Sequence, residues 1–168
     1  MMNAARLAIV TGGSRGIGAA IVEKLLEMDY QLIVTGKQAR ESRKGVEYYA
    51  VDFSDRDATE RFVQMMAARS VDVLVNNAGI NQIGSFQEIS TDIFDKIQEV
   101  NVHAPFRLTQ AVIPGMRSRG WGRVVSITSV FSEVSRSFRA SYSTSKFGIY
   151  GMTTALAAEV ARDGVLVN

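Results

Sequence analysis

Short apolar runs alternate along the chain with stretches whose apolar residues recur every three to four positions. Leu7-Ala8-Ile9-Val10, Leu32-Ile33-Val34-Thr35, Val46 to Val51, Val71 to Val75 and Arg123 to Thr128 are short, rich in β-branched residues and bounded by turn formers, which predicts strands. Val165 to Asn168 begins a sixth. Between them lie helical periodicities: Ile17, Ile21, Leu25 and Met28; Ala58, Phe62, Val63 and Met66 within residues 55–68; Ile93, Ile97 and Val100 behind Ser90 as N-cap. Phe106, Thr109, Val112, Ile113 and Met116 continue the pattern to Arg119-Gly120, with Pro105 tolerated in a first turn. Residues 140–162 form a long helix ended by Asp163-Gly164. Strand and helix in alternation predict an α/β fold with a parallel, doubly wound sheet, built as one domain over residues 1–168. Right-handed crossovers place the carboxyl ends of all strands along one edge, where ligands bind.

The chemistry-bearing residues fall at that edge. The first strand stops at Thr11-Gly12-Gly13-Ser14-Arg15-Gly16-Ile17-Gly18, and a helix follows. Glycines there allow a tight turn and close approach of backbone to a pyrophosphate, and the helix N-terminus offers free N–H groups to it. The spacing is Gly-x-x-x-Gly-x-Gly rather than Gly-x-Gly-x-x-Gly. The fourth strand ends in Asn76-Asn77-Ala78-Gly79, whose small residues let a cofactor approach; a plain strand-to-loop turn is the competing reading.

After the second strand, the place where an acidic residue would bond a ribose 2′-hydroxyl is Gly36, followed by Lys37. A lysine attracts a 2′-phosphate, and Arg15 adds a second cation, so NADP (as NADPH) is expected over NAD. The cluster Lys37, Arg40, Arg43 and Lys44 otherwise reads as a solvated loop. It lacks the interleaved aromatics of a nucleic-acid surface.

Tyr142 and Lys146 are four apart on the long helix and so share a face. A free tyrosine titrates near pH ~10 and exchanges protons poorly at neutrality; a neighbouring ammonium favours its phenolate form. Ser129, at the end of the fifth strand, can donate a hydrogen bond to the oxygen being protonated. The trio suits reversible proton transfer at a carbonyl or alcohol, although an isolated Tyr-x-x-x-Lys is ordinarily a surface pair.

Composition narrows the field. The chain has 168 residues, 46% hydrophobic and 21% charged, with net charge +2 and a pI near 9.0. That is a globular composition with no apolar run near the ~20 residues that span a bilayer. No signal peptide is read at Met1 to Arg6, and a cytoplasmic location is expected. Cysteine is absent and histidine occurs once, so no metal site is expected and His103 reads as a surface or interface residue.

Taken together, Thr11-Gly12-x-x-x-Gly16-x-Gly18, Asn76-Asn77-Ala78-Gly79, Asn101, Ser129 and Tyr142-x-x-x-Lys146 resemble the short-chain dehydrogenase/reductase family. The similarity runs from about Leu7 to Asn168 and looks greatest to its 3-oxoacyl-(acyl-carrier-protein) reductase-like members. It implies a Rossmann-type three-layer α/β/α domain. It implies that Tyr142 is the general acid or base, that Lys146 assists it and binds the nicotinamide ribose, and that Ser129 polarises the carbonyl. Asn101 would hold a water in a proton relay. Gly12, Ser14, Arg15, Ile17 and Gly18 would line the phosphate and ribose region, Lys37 the 2′-phosphate, Asp52 and Phe53 the adenine, and Asn77, Ala78 and Gly79 the adenosine side. The implied function is an NADP-dependent oxidoreductase acting on a small-molecule carbonyl or secondary alcohol, assembled as a dimer or tetramer, without nucleic-acid or membrane partners. Family members continue past the position of Asn168. The expectation is therefore a domain truncated at its C-terminus that lacks the last strand or strands, poorly covered at that edge and weakly active alone. Two other readings are a truncated dinucleotide binder or assembly partner, and a nucleotide-sugar epimerase or dehydratase, whose glycine spacing differs from this one.

Overall fold

The computed structural model describes residues 5–168. Its strands are β1 (Leu7–Val10), β2 (Gln31–Gly36), β3 (Val46–Ala50), β4 (Val73–Asn76), β5 (Gly122–Ser126) and β6 (Val165–Val167). Its helices are α1 (Gly16–Glu27), α2 (Arg56–Ala67), α3 (Thr91–Gln98), α4 (Ala104–Ser118) and α5 (Ala140–Val160). All strand pairings are parallel, in the order β3-β2-β1-β4-β5-β6. The order reverses between β1 and β4, which opens a crevice at their carboxyl ends.

The sheet sorts its side chains by the period of two. Ile9, Ile33, Leu74 and Val124 face one side, where Phe62 and Met66 of α2, Leu108, Val112 and Met116 of α4, and Val160 of α5 cover them. Ala8, Val10, Leu32, Val34, Val73 and Val75 face the other, where Val22 of α1 packs. Continuous apolar strands are what a sheet buried on both faces requires. Over β5 and β6 that second face is open, and Val125 and Leu166 are exposed. The short β6 is nonetheless a true strand. Asn168 donates to the Val124 carbonyl at 2.9 Å, and Val165 and Val167 are buried.

Local signals explain the helix ends. The Asp55 carboxylate accepts the N–H groups of Asp57 (2.9 Å) and Ala58 (3.0 Å), and the Ser90 hydroxyl accepts that of Ile93 (3.3 Å). Several boundaries differ from the sequence pattern. β3, β4 and β5 end at Ala50, Asn76 and Ser126, and Ile127 to Ser129 form a loop beyond the sheet. On α1 the buried positions are Gly18 and Val22, whereas Ile17 and Met28 are exposed. Between α3 and α4 the chain does not break. Residues Glu99–His103 form a π-helical segment, and Pro105, with no N–H to give, sits in the first turn of α4. Pro114 also lies within α4, on its exposed side, where water can serve the carbonyl it leaves unpaired. His103 is half exposed, with Nδ1 3.2 Å from a Glu99 oxygen that also accepts from Arg56 of α2 at 3.1 Å.

Candidate active site

The crevice holds a cleft of about 640 Å³ lined by Gly12, Ser14, Arg15, Ile17, Gly18, Lys37, Asp52, Phe53, Asn77, Ala78 and Gly79 among others. Every residue assigned to cofactor binding from the first half of the sequence is therefore brought to one place. Thr35, Gly36, Arg40, Ile80 and Val100 line it as well.

Hydrogen bonds weld the two turns of the cleft together. The Thr11 hydroxyl accepts the N–H groups of Asn77 and Ala78, both at 3.0 Å. The Asn77 amide donates back to the carbonyls of Thr11 (2.9 Å) and Gly12 (3.1 Å), and the Gly12 N–H reaches the Thr35 hydroxyl at 3.1 Å. Asn77 thus shapes the turn with its side chain. Close packing dictates two of the glycines. Gly12 has φ +64, and a Cβ there would lie 2.9 Å from Ala78 Cα. A Cβ on Gly18 would lie 2.4 Å from both Asn77 Nδ2 and the Gly12 carbonyl. The turn and the first turn of α1 fit only without side chains, and this leaves backbone bare toward the cleft.

On the adenosine side, two assignments change in detail. The Phe53 side chain is buried in the core and packs edge-on against Phe62 at 6.1 Å, so its ring belongs to the core. Lys37 is not free: its Nζ lies 2.9 Å from Asp52 Oδ2. The other Asp52 oxygen accepts the N–H (3.0 Å) and hydroxyl (2.8 Å) of Ser54. Burial pushes the Asp52 carboxyl up, but the Ser54 and Lys37 hydrogen bonds outweigh it and hold it at about 2.

The proton-transfer candidates gather at α5. Lys146 is only 6% exposed. Its ammonium donates to the Ile127 carbonyl at 2.6 Å and stands 5.7 Å from the Tyr142 ring centre. Among the described residues no carboxylate lies within ion-pair distance of it, and burial pushes its pKa down. Tyr142 is half buried, with its ring edge-on to Phe131 at 6.2 Å. The Ser129 hydroxyl accepts the Phe131 N–H at 3.2 Å, which leaves its own proton available to a substrate oxygen.

Asn101, on the π-helical segment, is tied down more completely than the resemblance implies. Its Nδ2 donates to the Ile80 carbonyl and to the Ser145 hydroxyl, both at 2.9 Å, and its Oδ1 accepts the Ile80 N–H at 2.8 Å. Both amide protons are thus engaged within the protein. Ser145 passes the connection on by donating to the Tyr142 carbonyl at 2.7 Å. Thr11 is part of the glycine motif in the sequence, whereas nothing in the sequence marks Thr35 or Ser145 for these contacts.

The chain belongs to the short chain dehydrogenase family, whose pattern matches residues 6–168. It is 36% identical to the acetoacetyl-CoA reductase of Cupriavidus necator over 97% of this chain and 72% of that protein. It is 33% identical to a 3-oxoacyl-(acyl-carrier-protein) reductase of Vibrio cholerae over 97% of this chain and 70% of that one. Among solved structures, a metagenomic short-chain oxidoreductase in complex with NADP superposes with TM-score 0.87 at 32% identity, covering 95% of this chain and 77% of that one. A 4-hydroxyisoleucine dehydrogenase complexed with NADH gives TM-score 0.89 at 28% identity, covering 97% and 73%. Among the described residues, no helix is long and apolar enough to cross a membrane.

Proposed function

We propose that this chain carries the nucleotide site and proton-transfer groups of an NADPH-dependent oxidoreductase that reduces a carbonyl, or oxidises a secondary alcohol. The observation that carries this reading is Lys146, a buried ammonium with no counter-ion among the described residues, one helical turn from Tyr142 and at the same sheet edge as the glycine-lined cleft. A lone buried cation is costly and is retained where it has work to do.

A dinucleotide fits the residues present. The bare backbone at Gly12 and Gly18 allows a pyrophosphate to approach, and the N-terminus of α1 offers its free N–H groups. Arg15 and Arg40 supply positive charge to the adenosine end, where Lys37 is paired with Asp52. A nicotinamide dinucleotide bound there would supply the hydride for the carbonyl carbon. Ser129 donates a hydrogen bond to the carbonyl oxygen, which gains charge as the C=O π bond breaks. Tyr142 delivers its phenolic proton to that oxygen, and Lys146 favours the phenolate left behind. Asn101 and Ser145 hold this helix against Ile80, whose residue lines the cleft.

The names of the relatives make a 3-oxoacyl thioester the first substrate to try. Acetoacetyl-CoA and a simple ketone are offered to the chain with NADPH and with NADH, alongside equilibrium titration of each cofactor. Tighter binding of NADPH and its oxidation by either substrate are expected. Binding without turnover would reduce the chain to a dinucleotide binder; equal affinity for the two cofactors would overturn the NADPH reading. Self-association is expected through α4 and α5, where Phe106, Phe147 and Tyr150 are exposed, and light scattering measures it.

A further inference from the structure

Glu99 opens the π-helical segment and closes it twice. Its carbonyl accepts the N–H of Ala104, five residues on, which is the hydrogen bond of a π turn. Its carboxylate reaches out of the segment as well. One oxygen accepts from Arg107 of α4; the other accepts from Arg56 of α2 at 3.1 Å and lies 3.2 Å from His103 Nδ1. The Glu99 side chain is only 12% exposed. Burial pushes its pKa up, but the hydrogen bonds from Arg107 and Arg56 outweigh burial and hold it below the ordinary value. Glu99 does not line the cleft, and the proton-transfer scheme makes no use of it.

The segment that Glu99 braces faces α5. Gln98, just before it, donates to the Ser141 carbonyl at 3.1 Å, and Asn101, within it, donates to the Ser145 hydroxyl at 2.9 Å. Asn101 also exchanges two hydrogen bonds with the Ile80 backbone, and Ile80 lines the cleft.

We infer that Glu99 is a positioning residue: its ion pairs with Arg107 and Arg56 fix the π turn that aims Asn101 at Ile80 and Ser145, and so hold Tyr142 and Lys146 in register with the cleft. The effect on catalysis rests on the oxidoreductase reading.

The reason lies in the helix geometry. A π turn carries one residue more than the α-helix around it and is the rarer pattern. Reversion to α-helical hydrogen bonding would turn the chain on one side of the extra residue by about 100° relative to the other. Asn101 could then no longer meet both Ile80 and Ser145. Something besides the backbone must hold the turn, and Glu99 does so from its first residue. Arg107 lies eight positions on, beyond the turn, and Arg56 lies on a separate helix, so one carboxylate ties the segment to α4 and to α2. Among the described residues, neither arginine has another carboxylate partner. Without Glu99, two guanidinium groups would face the turn with no anion between them, and their repulsion would favour its unwinding.

The experiment compares the full chain with Glu99→Ala, Glu99→Gln and Arg107→Ala by amide hydrogen exchange, by NADPH titration and by single-turnover hydride transfer from NADPH to acetoacetyl-CoA. The Ile80 N–H is the probe, because it donates to Asn101 Oδ1 at 2.8 Å. The amides of Ile9 and Leu74, in the central strands, are the controls. In Glu99→Ala, protection at Ile80 is expected to fall on the order of tenfold further than at the controls, a local opening rather than a global one. Hydride transfer should also fall on the order of tenfold, since catalysis depends steeply on placement, with NADPH affinity within about twofold of the parent. Arg107→Ala should follow in the same direction. Glu99→Gln keeps the length and one acceptor and should fall between parent and Glu99→Ala; it carries the comparison if Glu99→Ala does not fold. A merely structural role would lower protection at all three amides together and leave the rate per folded molecule unchanged. Either that result or unchanged protection at Ile80 overturns the inference. If Ile80 opens as expected but the parent itself transfers no hydride, the oxidoreductase reading falls and the bracing of Asn101 by Glu99 stands.

Discussion

The glycine-lined cleft and the polar cluster of α5 beside it are built on different principles. At the nucleotide end, the shape is set by main chain and small residues, and the charged groups stand at the rim. Lys37 and Asp52 have side chains 57% and 43% exposed, and their pair is of the kind that contributes little to stability. At the proposed proton-transfer site, the polar groups are inside. Ser141, Ser143, Ser145, Lys146 and Thr153 of α5 are all buried, as is Asn101 opposite them. The hydrogen bonds of Asn101 and Ser145 form a chain from Ile80 to the Tyr142 carbonyl. A rim of exposed charges can be changed to alter ligand preference at little cost to the fold. A buried polar chain cannot, because each unmade hydrogen bond there costs about 1–3 kcal/mol. Selectivity is thus adjustable where rigidity is not needed, and rigidity is concentrated where a proton must be placed.

The largest effect expected at the proposed proton-transfer site is that of Tyr142→Phe. The ring and its contact with Phe131 survive, and only the transferable proton is lost. Single-turnover hydride transfer should fall by roughly 10²–10⁴-fold, with cofactor affinity and melting temperature close to the parent. Undiminished transfer would remove Tyr142 from its role. A comparable fall in cofactor affinity would show that the two sites are not separable.

Ser145→Ala comes next and addresses the contrast directly. It leaves an Asn101 amide proton without its partner in a site of no solvent access. A destabilisation of about 1–3 kcal/mol is expected in urea titrations. Lys37→Ala, at the rim, should fall within about 0.5 kcal/mol of the parent. Equal losses at the two positions would erase the distinction between a stiff interior and an adjustable rim.

How much of this was legible in the sequence depends on whether a feature is local. The apolar runs and the glycine turn announce the alternation of strands and helices, and the fold follows. The buried face of α1 was displaced by one position, since Ile17 and Met28 share the periodicity of Ile21 and Leu25 but are exposed, Ile17 at the cleft wall. Pro105 marked the start of a helix correctly, but nothing in a pattern of 3.6 distinguishes the π-helical segment that carries Asn101 from a loop. Lateral neighbours were out of reach. That Asp52 sits beside Gly36 is a matter of strand register, and that Ser145 meets Asn101 is a matter of helix packing; neither has a spacing to be read. The pairing of β6 was also hidden, because three residues carry too little periodicity to show that Val165 and Val167 would be buried.

The smallest effects are in pH dependence, and there the two sites should share a sign and differ in window. Lys146 has its pKa lowered by burial from the ordinary 10.5. Between its folded value and 10.5 the unfolded chain binds the extra proton, so stability contributed by this site rises with pH across that interval. Asp52 has the same sign in an acid window. Its pKa falls from 3.8 unfolded to about 2 folded, so its contribution is complete above 3.8 and is lost as pH drops through about 2. Because the Asp52 side chain is 43% exposed, solvent screens much of that contribution. Urea midpoints of the parent, Lys146→Met and Asp52→Asn, followed from pH 2 to 10, separate the two, since the remaining lysines, tyrosines and acids cancel in each difference. Lys146→Met should remove a limb that rises with pH below 10.5. Asp52→Asn should flatten only the acid limb, and by less. An alkaline limb that persists without Lys146 would mean that its ammonium is solvated in the folded chain, and the argument for a buried cation held beside Tyr142 would fail with it.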